Sequence, residues 1–440
     1  MTETASGIAP RQELVRAIGR WSLVALTVNC VIGSGVFGLP SVIAGLIGPA
    51  SVWAVLLAGA AVAVIMACFA EVASQFTASG GPYLYVRAAF GRLAGIEVGW
   101  LTWVVRIASC AANANLFVIY LAQFWPRATQ PVPRFLILTL LVGILAAINY
   151  RGVRMGAQVS NAFTVGKLLP LVLVCVVGVF YLAHRGWVMP ALSVAADQKA
   201  WSHAIVLLIF AYGGFEAALI SGGEAKDPRK DTVFGLFVTL LICAAIYWLI
   251  QWVVVGVLPD PAHSDRPLAD VARIILGPSG AVVVAFGALI SVYGYLSANI
   301  LATPRITFAL AERGDFPSPF AAVHPVFRTP YFSILLFVAL VWLFAMFGSF
   351  AGNATLSAGA RLFSYALVCA SVPVLRKKQP QAATFRLPAG PLFAVLGVLI
   401  CLVLLAGMDF SKSLLLGITV IVGLLNWIAV RNRKAHDCIS

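Results

Sequence analysis

The 440-residue chain is predicted to be an all-α integral membrane protein of about 12 transmembrane helices, since each crossing takes about 20 apolar residues. Three observations carry that prediction. Apolar residues make up 61% of the sequence and charged residues 10%, too few to give a soluble protein of this length a charged surface. From Trp21 to Ala70 no charged side chain occurs. Two otherwise apolar stretches are interrupted by glycine, at Cys30–Pro40 (CVIGSGVFGLP) and at Phe210–Glu216 (FAYGGFE).

Taken in order, spans are expected near 21–46, 50–76, 90–124, 134–150, 158–183, 201–223, 232–257, 274–311, 330–350, 354–375, 389–407 and 413–430. Gly48-Pro49 turns the chain between the first two. The glycine-rich runs fall inside the first and the sixth. In lipid, a backbone polar group without a partner costs several kcal/mol, so a helix broken at depth must offer its freed groups to a ligand or a wet cavity. Paired Gly-interrupted segments about 180 residues apart, each opening a set of five spans, point to an inverted repeat with the binding site at its breaks.

The net charge of +14 is topological. With the N-terminus in the cytoplasm, nineteen Lys and Arg fall on the cytoplasmic side and seven on the other, and four (Arg106, Lys167, Arg305, Arg361) lie within or at the edges of spans. The positive-inside rule then puts both termini inside, in the cytoplasmic (inner) membrane. No basic patch interleaved with aromatics points to nucleic acid. Seven of the eight cysteines (Cys30, Cys68, Cys110, Cys175, Cys243, Cys369, Cys401) fall in apolar spans, Cys438 lies in the tail, and no C-x-x-C spacing occurs. Neither a disulfide framework nor a metal site is expected. The five histidines are scattered, and no phosphate-binding loop or nucleophile–base motif is present, so no enzyme, no cofactor and no ATP-driven pump is expected. The first 20 residues carry no signal-peptide pattern.

At the first break, the N–H groups of Gly33, Ser34 and Gly35 would open the outer half-helix, where the helix dipole favours a carboxylate. Ser34 adds a hydroxyl. The competing reading is a small-residue face for close helix packing. At the second, unwinding at Gly213-Gly214 would free the carbonyls of Phe210 and Ala211 for an ammonium group, with Val31 and Ile32 offering theirs from the first. Lys167, in mid-span, is costly by about 2.5–3.5 kcal/mol and is functional by default, unless it snorkels to the cytoplasmic face. Glu216, also at membrane depth, is either a proton carrier or a structural acceptor for the broken helices. Arg106 and Arg361 are left to pair with Glu216, Glu97 or Glu71.

Several stretches resemble one family. Gly33-Ser-Gly-Val-Phe37 is similar to the first-helix motif of the amino acid–polyamine–organocation (APC) superfamily. Phe210–Ala217 with Glu224–Arg229 resembles its sixth helix and the following loop. Ala302–Arg305, Ala309–Pro317, His324-Pro325 and Arg328–Pro330 resemble its eighth helix and next loop. Gly166-Lys-Leu-Leu169 resembles the fifth helix of the L-type amino acid transporter branch.

The resemblance covers nearly the whole chain. It implies a LeuT-like fold forming a single transporter domain: a 5+5 inverted repeat (21–183 and 201–375) with discontinuous helices 1 and 6, plus two C-terminal helices (389–430). It further implies that Phe210 lids the substrate, with Tyr212 nearby, and that Cys110 and Asn113 face the substrate side chain. Both are uncharged, which favours a neutral substrate over a dibasic one. Lys167 would stand where sodium-coupled relatives hold a cation, meeting first-helix carbonyls and Ser297, so transport is expected to be independent of sodium. Glu224–Asp231 would latch an inner gate against Arg313 or Arg87. The function implied is secondary transport of amino acids across the cytoplasmic membrane by alternating access, coupled to protons or to exchange. The alternatives are a polyamine or cationic amino acid exchanger and a non-transporting sensor of the same fold.

Overall fold

The computed structural model describes residues 19–76, 80–151, 157–186, 197–216, 219 and 225–431. The fold is all-helical, 84% helix and without strands among the described residues. In chain order the helices are α1 (Arg20–Val31), α2 (Gly35–Ile47), α3 (Ser51–Ala73), α4 (Gly81–Phe90), α5 (Arg92–Leu121), α6 (Pro131–Tyr150), α7 (Ala157–Arg185) and α8 (Gln198–Tyr212). They continue with α9 (Pro228–Val257), α10 (Pro267–Glu312), α11 (Tyr331–Phe347), α12 (Phe350–Lys378), α13 (Gly390–Ala406) and α14 (Phe410–Val430).

Among the described residues, eight apolar segments are long enough to cross a bilayer, and Tyr331–Phe347 and Gly390–Ala406 are shorter apolar helices. One of the eight, Gly35–Ala73, joins α2 and α3 across the 3-10 turn Gly48–Ala50, where the sequence reading separates two spans. The first and sixth expected spans do not run through. Helix α1 stops after 12 residues and α8 after 15, both at glycine-rich runs.

Two elements differ from expectation. Helix α4, with Pro82 in its first turn, lies outside every expected span, because a connecting helix with Tyr83 and Arg87 on one face leaves no long apolar run. The eighth span, expected from 274, begins at Pro267 and bends at Gly277, whose φ of 77° is in the left-handed region that the following Pro278 helps to fix.

Packing follows from all-round hydrophobicity. Helices α5, α12, α3 and α10 have buried faces, whereas α14 and α13 expose apolar side chains such as Leu402, Val403 and Ile421 on their outer sides. Those are the surfaces a lipid environment would cover. Helix α5 packs on α12 and α10, α3 on α9, α7 on α10, and α2 against α8, which brings the two interrupted segments together at the centre.

Candidate substrate site

In α1, Ile32 N–H is the last donor of the helical ladder, to Val28 O at 2.8 Å, and bonding restarts when Phe37 and Gly38 donate to Ser34 O at 3.1 Å. The N–H groups of Gly33, Ser34, Gly35 and Val36 lie in that gap, the four donors that any helix leaves open in its first turn. In α8 the ladder ends with Gly213 N–H donating to Phe210 O at 3.2 Å. Gly214 has φ +120°, and a Cβ there would sit 2.3 Å from Cys30 O. A Cβ on Gly35 would sit 2.9 Å from Ala211 Cα. Glycine at these two positions is therefore what lets the breaks touch backbone to backbone.

A small cavity, with about 20 Å³ of room for water-sized groups, lies between the breaks. Its wall contains Cys30, Val31, Gly33, Ser34 and Gly35 from the first break and Phe210, Ala211, Gly213 and Gly214 from the second. Asn113 of α5, Tyr295 of α10 and Arg361 of α12 complete it. That is room for about one water molecule, well below the volume of an open ligand site. Two buried polar atoms in the wall have no partner, Ser34 Oγ and Asn113 Oδ1. Asn113 is oriented by its amide nitrogen, which donates to Ser109 O at 2.8 Å. Phe210 closes one side, edge-on to Phe350 with ring centroids 6.3 Å apart.

Other expected residues sit beside the cavity instead of in its wall. Cys110 is fully buried in α5. Tyr212 turns away and donates to Val55 O of α3 at 3.0 Å. Ile32 contributes its carbonyl to Lys167.

Each break is braced by polar side chains. Lys167 Nζ, buried on α7, donates to Ile32 O at 2.8 Å and to Asn29 O. Snorkelling does not describe it. Ser297 is buried on α10. Tyr247 of α9 places its hydroxyl 3.1 Å from Val31 O and 3.0 Å from Ala211 O, tying the two breaks through one proton. The carbonyls of Val31, Ala211 and Phe210 thus each already accept one bond and keep a second lone pair for a ligand. Tyr247 escapes sequence reading because a tyrosine in the run Ile246–Trp248 has no pattern to mark it.

Glu216 is held by three donors: the Arg361 guanidinium on Oε1, with Gly214 N–H at 2.9 Å and Tyr365 O–H at 3.0 Å on Oε2. Arg106 donates to Asn299 Oδ1 at 3.1 Å. Of the acids left open as partners, Glu71 is taken by Arg376 at 2.5 and 2.8 Å and by Leu387 N–H. Glu97 Oε2 is buried without a partner, against Gly423 of α14. Of the expected gate latch, only part lies within the described residues. Arg87 bonds Asp315, which also takes Tyr83 and, at 2.8 Å, Arg92. Asp231 instead pairs with Arg20 at 3.6 Å, and Glu224 lies outside the described residues.

An all-helical fold with apolar spans and two helix breaks meeting at a small cavity is that of a membrane carrier, the class to which the comparisons assign the chain. The amino acid permease family profile matches residues 18–424, and the chain belongs to that family, an APC-type family of transporters and not of enzymes. It is 28% identical to a methylthioribose transporter of Bacillus subtilis, covering 91% of this chain and 90% of the relative. From the same organism, a serine/threonine exchanger is 25% identical over 96% and 98%, and a branched-chain amino acid permease 26% identical over 94% and 92%.

Proposed function

We propose that the protein is a sodium-independent secondary carrier of amino acids in the cytoplasmic membrane, working by alternating access with both termini inside. The observation that carries this reading is the pairing of opposite backbone ends around one cavity. The first break presents the open N–H groups of α2, suited to a carboxylate. The second presents carbonyls of Phe210 and Ala211, suited to an ammonium. A zwitterion needs both, and a sugar needs neither. The names of the serine/threonine exchanger and the branched-chain permease support the same substrate class.

In this reading the chain is one transporter domain of twelve spans, with residues 21–183 and 201–375 as inverted repeats and 389–430 appended. The substrate is bound by Gly33, Ser34 and Gly35 through donors, by Val31, Phe210 and Ala211 through carbonyls, and by Asn113 along its side chain. Gly213 and Gly214 supply the close approach. Lys167 occupies the place of a coupling cation, with its charge delivered to two α1 carbonyls. Glu216 acts as structural acceptor, since all of its strong bonds go to groups that hold the second break. Arg361 in the wall disfavours the polyamine or dibasic alternative, because it would set like charges side by side. Transport runs by exchange or with protons.

The test is flux in proteoliposomes across a panel of labelled amino acids, with pH and sodium gradients imposed separately. Uptake that is saturable and indifferent to sodium is expected. Binding without flux, or robust stimulation by sodium, would overturn the reading.

A further inference from the structure

One buried guanidinium, Arg361, lines the cavity, and a second, Arg106, is buried on α5, the helix that carries the wall residue Asn113. Arg361 is 3% exposed and lines the wall so closely that a Cβ on Gly213 would sit 2.3 Å from its Nη1. Its strong bond goes to Glu216. Its remaining donations, to the hydroxyls of Ser357 and Ser109, are both 3.5 Å, at the outer limit of hydrogen bonding. Arg106, 7% exposed, lies seven residues before Asn113 on α5 and so shares its face. It donates to the neutral Asn299, four residues on from the wall residue Tyr295. No carboxylate is within ion-pair distance of Arg106 among the described residues, although Glu216, Tyr295 and Cys30 all lie within its electrostatic reach.

With Lys167, three buried cations lie on the helices packed around the two breaks, against Glu216 among the described residues. A buried charge left without a counter-charge is strongly unfavourable. The first break supplies separate donors for the α-carboxylate, so these guanidinium groups are surplus to an amino acid with an uncharged side chain.

We propose that the substrate is an acidic amino acid, whose side-chain carboxylate is received by the free donors of Arg361 and by the charge of Arg106. This rests on the carrier reading above and sharpens it, replacing the neutral substrate that Cys110 and Asn113 favour on sequence alone. Arg361 bonds the side-chain carboxylate, Asn113 Oδ1 and the carbonyls of the second break receive donors, and Arg106 sets the selectivity.

The experiment is uptake by the full-length protein in proteoliposomes, with labelled L-glutamate, L-aspartate, L-serine, L-leucine and L-lysine, in chloride and in gluconate media. The expected result is that glutamate or aspartate is carried best, competes with any neutral substrate and does so in both media. Arg106→Gln should lower the ratio of acidic to neutral uptake by about tenfold or more, the worth of one charge-assisted contact, with Arg106→Lys retaining part of it. A merely structural arginine would lower every flux alike, and that result counts against the proposal. Robust serine or leucine uptake that neither acid inhibits overturns the proposal while leaving the carrier reading intact. Neutral uptake that instead requires chloride also overturns it, since an inorganic anion then supplies the missing charge. No flux of any amino acid overturns both readings. The wild-type panel decides the matter even where a variant fails to fold.

Discussion

The first and second helix breaks lie against each other at the centre of the molecule, yet they are held by side chains of opposite sign. The first exposes carbonyls at the end of α1, and a lysine from a neighbouring helix caps two of them, Asn29 and Ile32. The second exposes a donor, Gly214 N–H, and a glutamate two residues further along the same segment caps it. The lysine reaches its break from α7, whereas Glu216 is local and is itself neutralised from α12 by Arg361. Each polarity follows from the helix end being capped, because carbonyls attract cations and N–H groups attract anions. The difference lies in independence. The first break is held by separate side chains from two remote helices, Lys167 of α7 and Tyr247 of α9, and the second is a three-donor cluster whose members need one another.

That contrast is broken hardest at Glu216. Glu216→Ala removes the acceptor and strands Arg361 as a buried charge, an expected loss of about 3–5 kcal/mol read as thermal stability of the detergent-purified protein. Replacing both partners, Glu216→Gln with Arg361→Met, should recover much of that stability, because the penalty comes from the orphaned charge and not from the missing pair. A double variant as unstable as the single one would show that the cluster acts through packing instead. Neither variant should transport, since the second break loses the group that shapes it.

Lys167→Ala is expected to cost less, about 1–3 kcal/mol in all, because it leaves carbonyls short of a donor but orphans no charge. Flux should fall to background, and external sodium should restore none of it unless the emptied position admits a cation. Restoration by sodium in the variant, with none in the unmodified protein, would sharpen the comparison, because it would identify the ammonium as the resident charge of the first break.

How far these features could be read in advance depends on whether they are local. Both breaks were legible, since glycine pairs within uncharged runs announce interrupted helices by themselves. Lys167 was legible as a cation in an apolar span that needs a partner, whereas its pairing with α1 carbonyls was implied by the family resemblance. The pairing of Arg361 with Glu216 was not, because three acids stood open to two arginines and only the packing of α12 against α8 decides. Helix α4 and the extension of α10 back to Pro267 were missed for another reason. Hydropathy marks segments that cross lipid, and both of these pack as connecting pieces. The latch around Asp315 joins α4, α5 and the loop after α10, three elements whose approach no spacing in the sequence encodes.

The smallest expected effect on stability belongs to the one residue that touches both breaks. Tyr247→Phe keeps the ring, which packs against Tyr212 with centroids 5.2 Å apart, and removes only the hydroxyl shared by Val31 O and Ala211 O. Hydrogen bonds between helices in membranes average about 0.6 kcal/mol, so melting should shift little. Transport is a different matter. The two carbonyls belong to opposite breaks, and in the proposed carrier their spacing would fix the acceptors for the substrate ammonium. Without the shared proton they can drift apart, which weakens binding without unfolding anything. The expected signature is a raised KM for uptake at nearly unchanged stability. Parallel losses of KM and melting temperature would mean that the hydroxyl only supports the fold, and unchanged kinetics would mean that the two breaks keep their spacing through backbone contact alone.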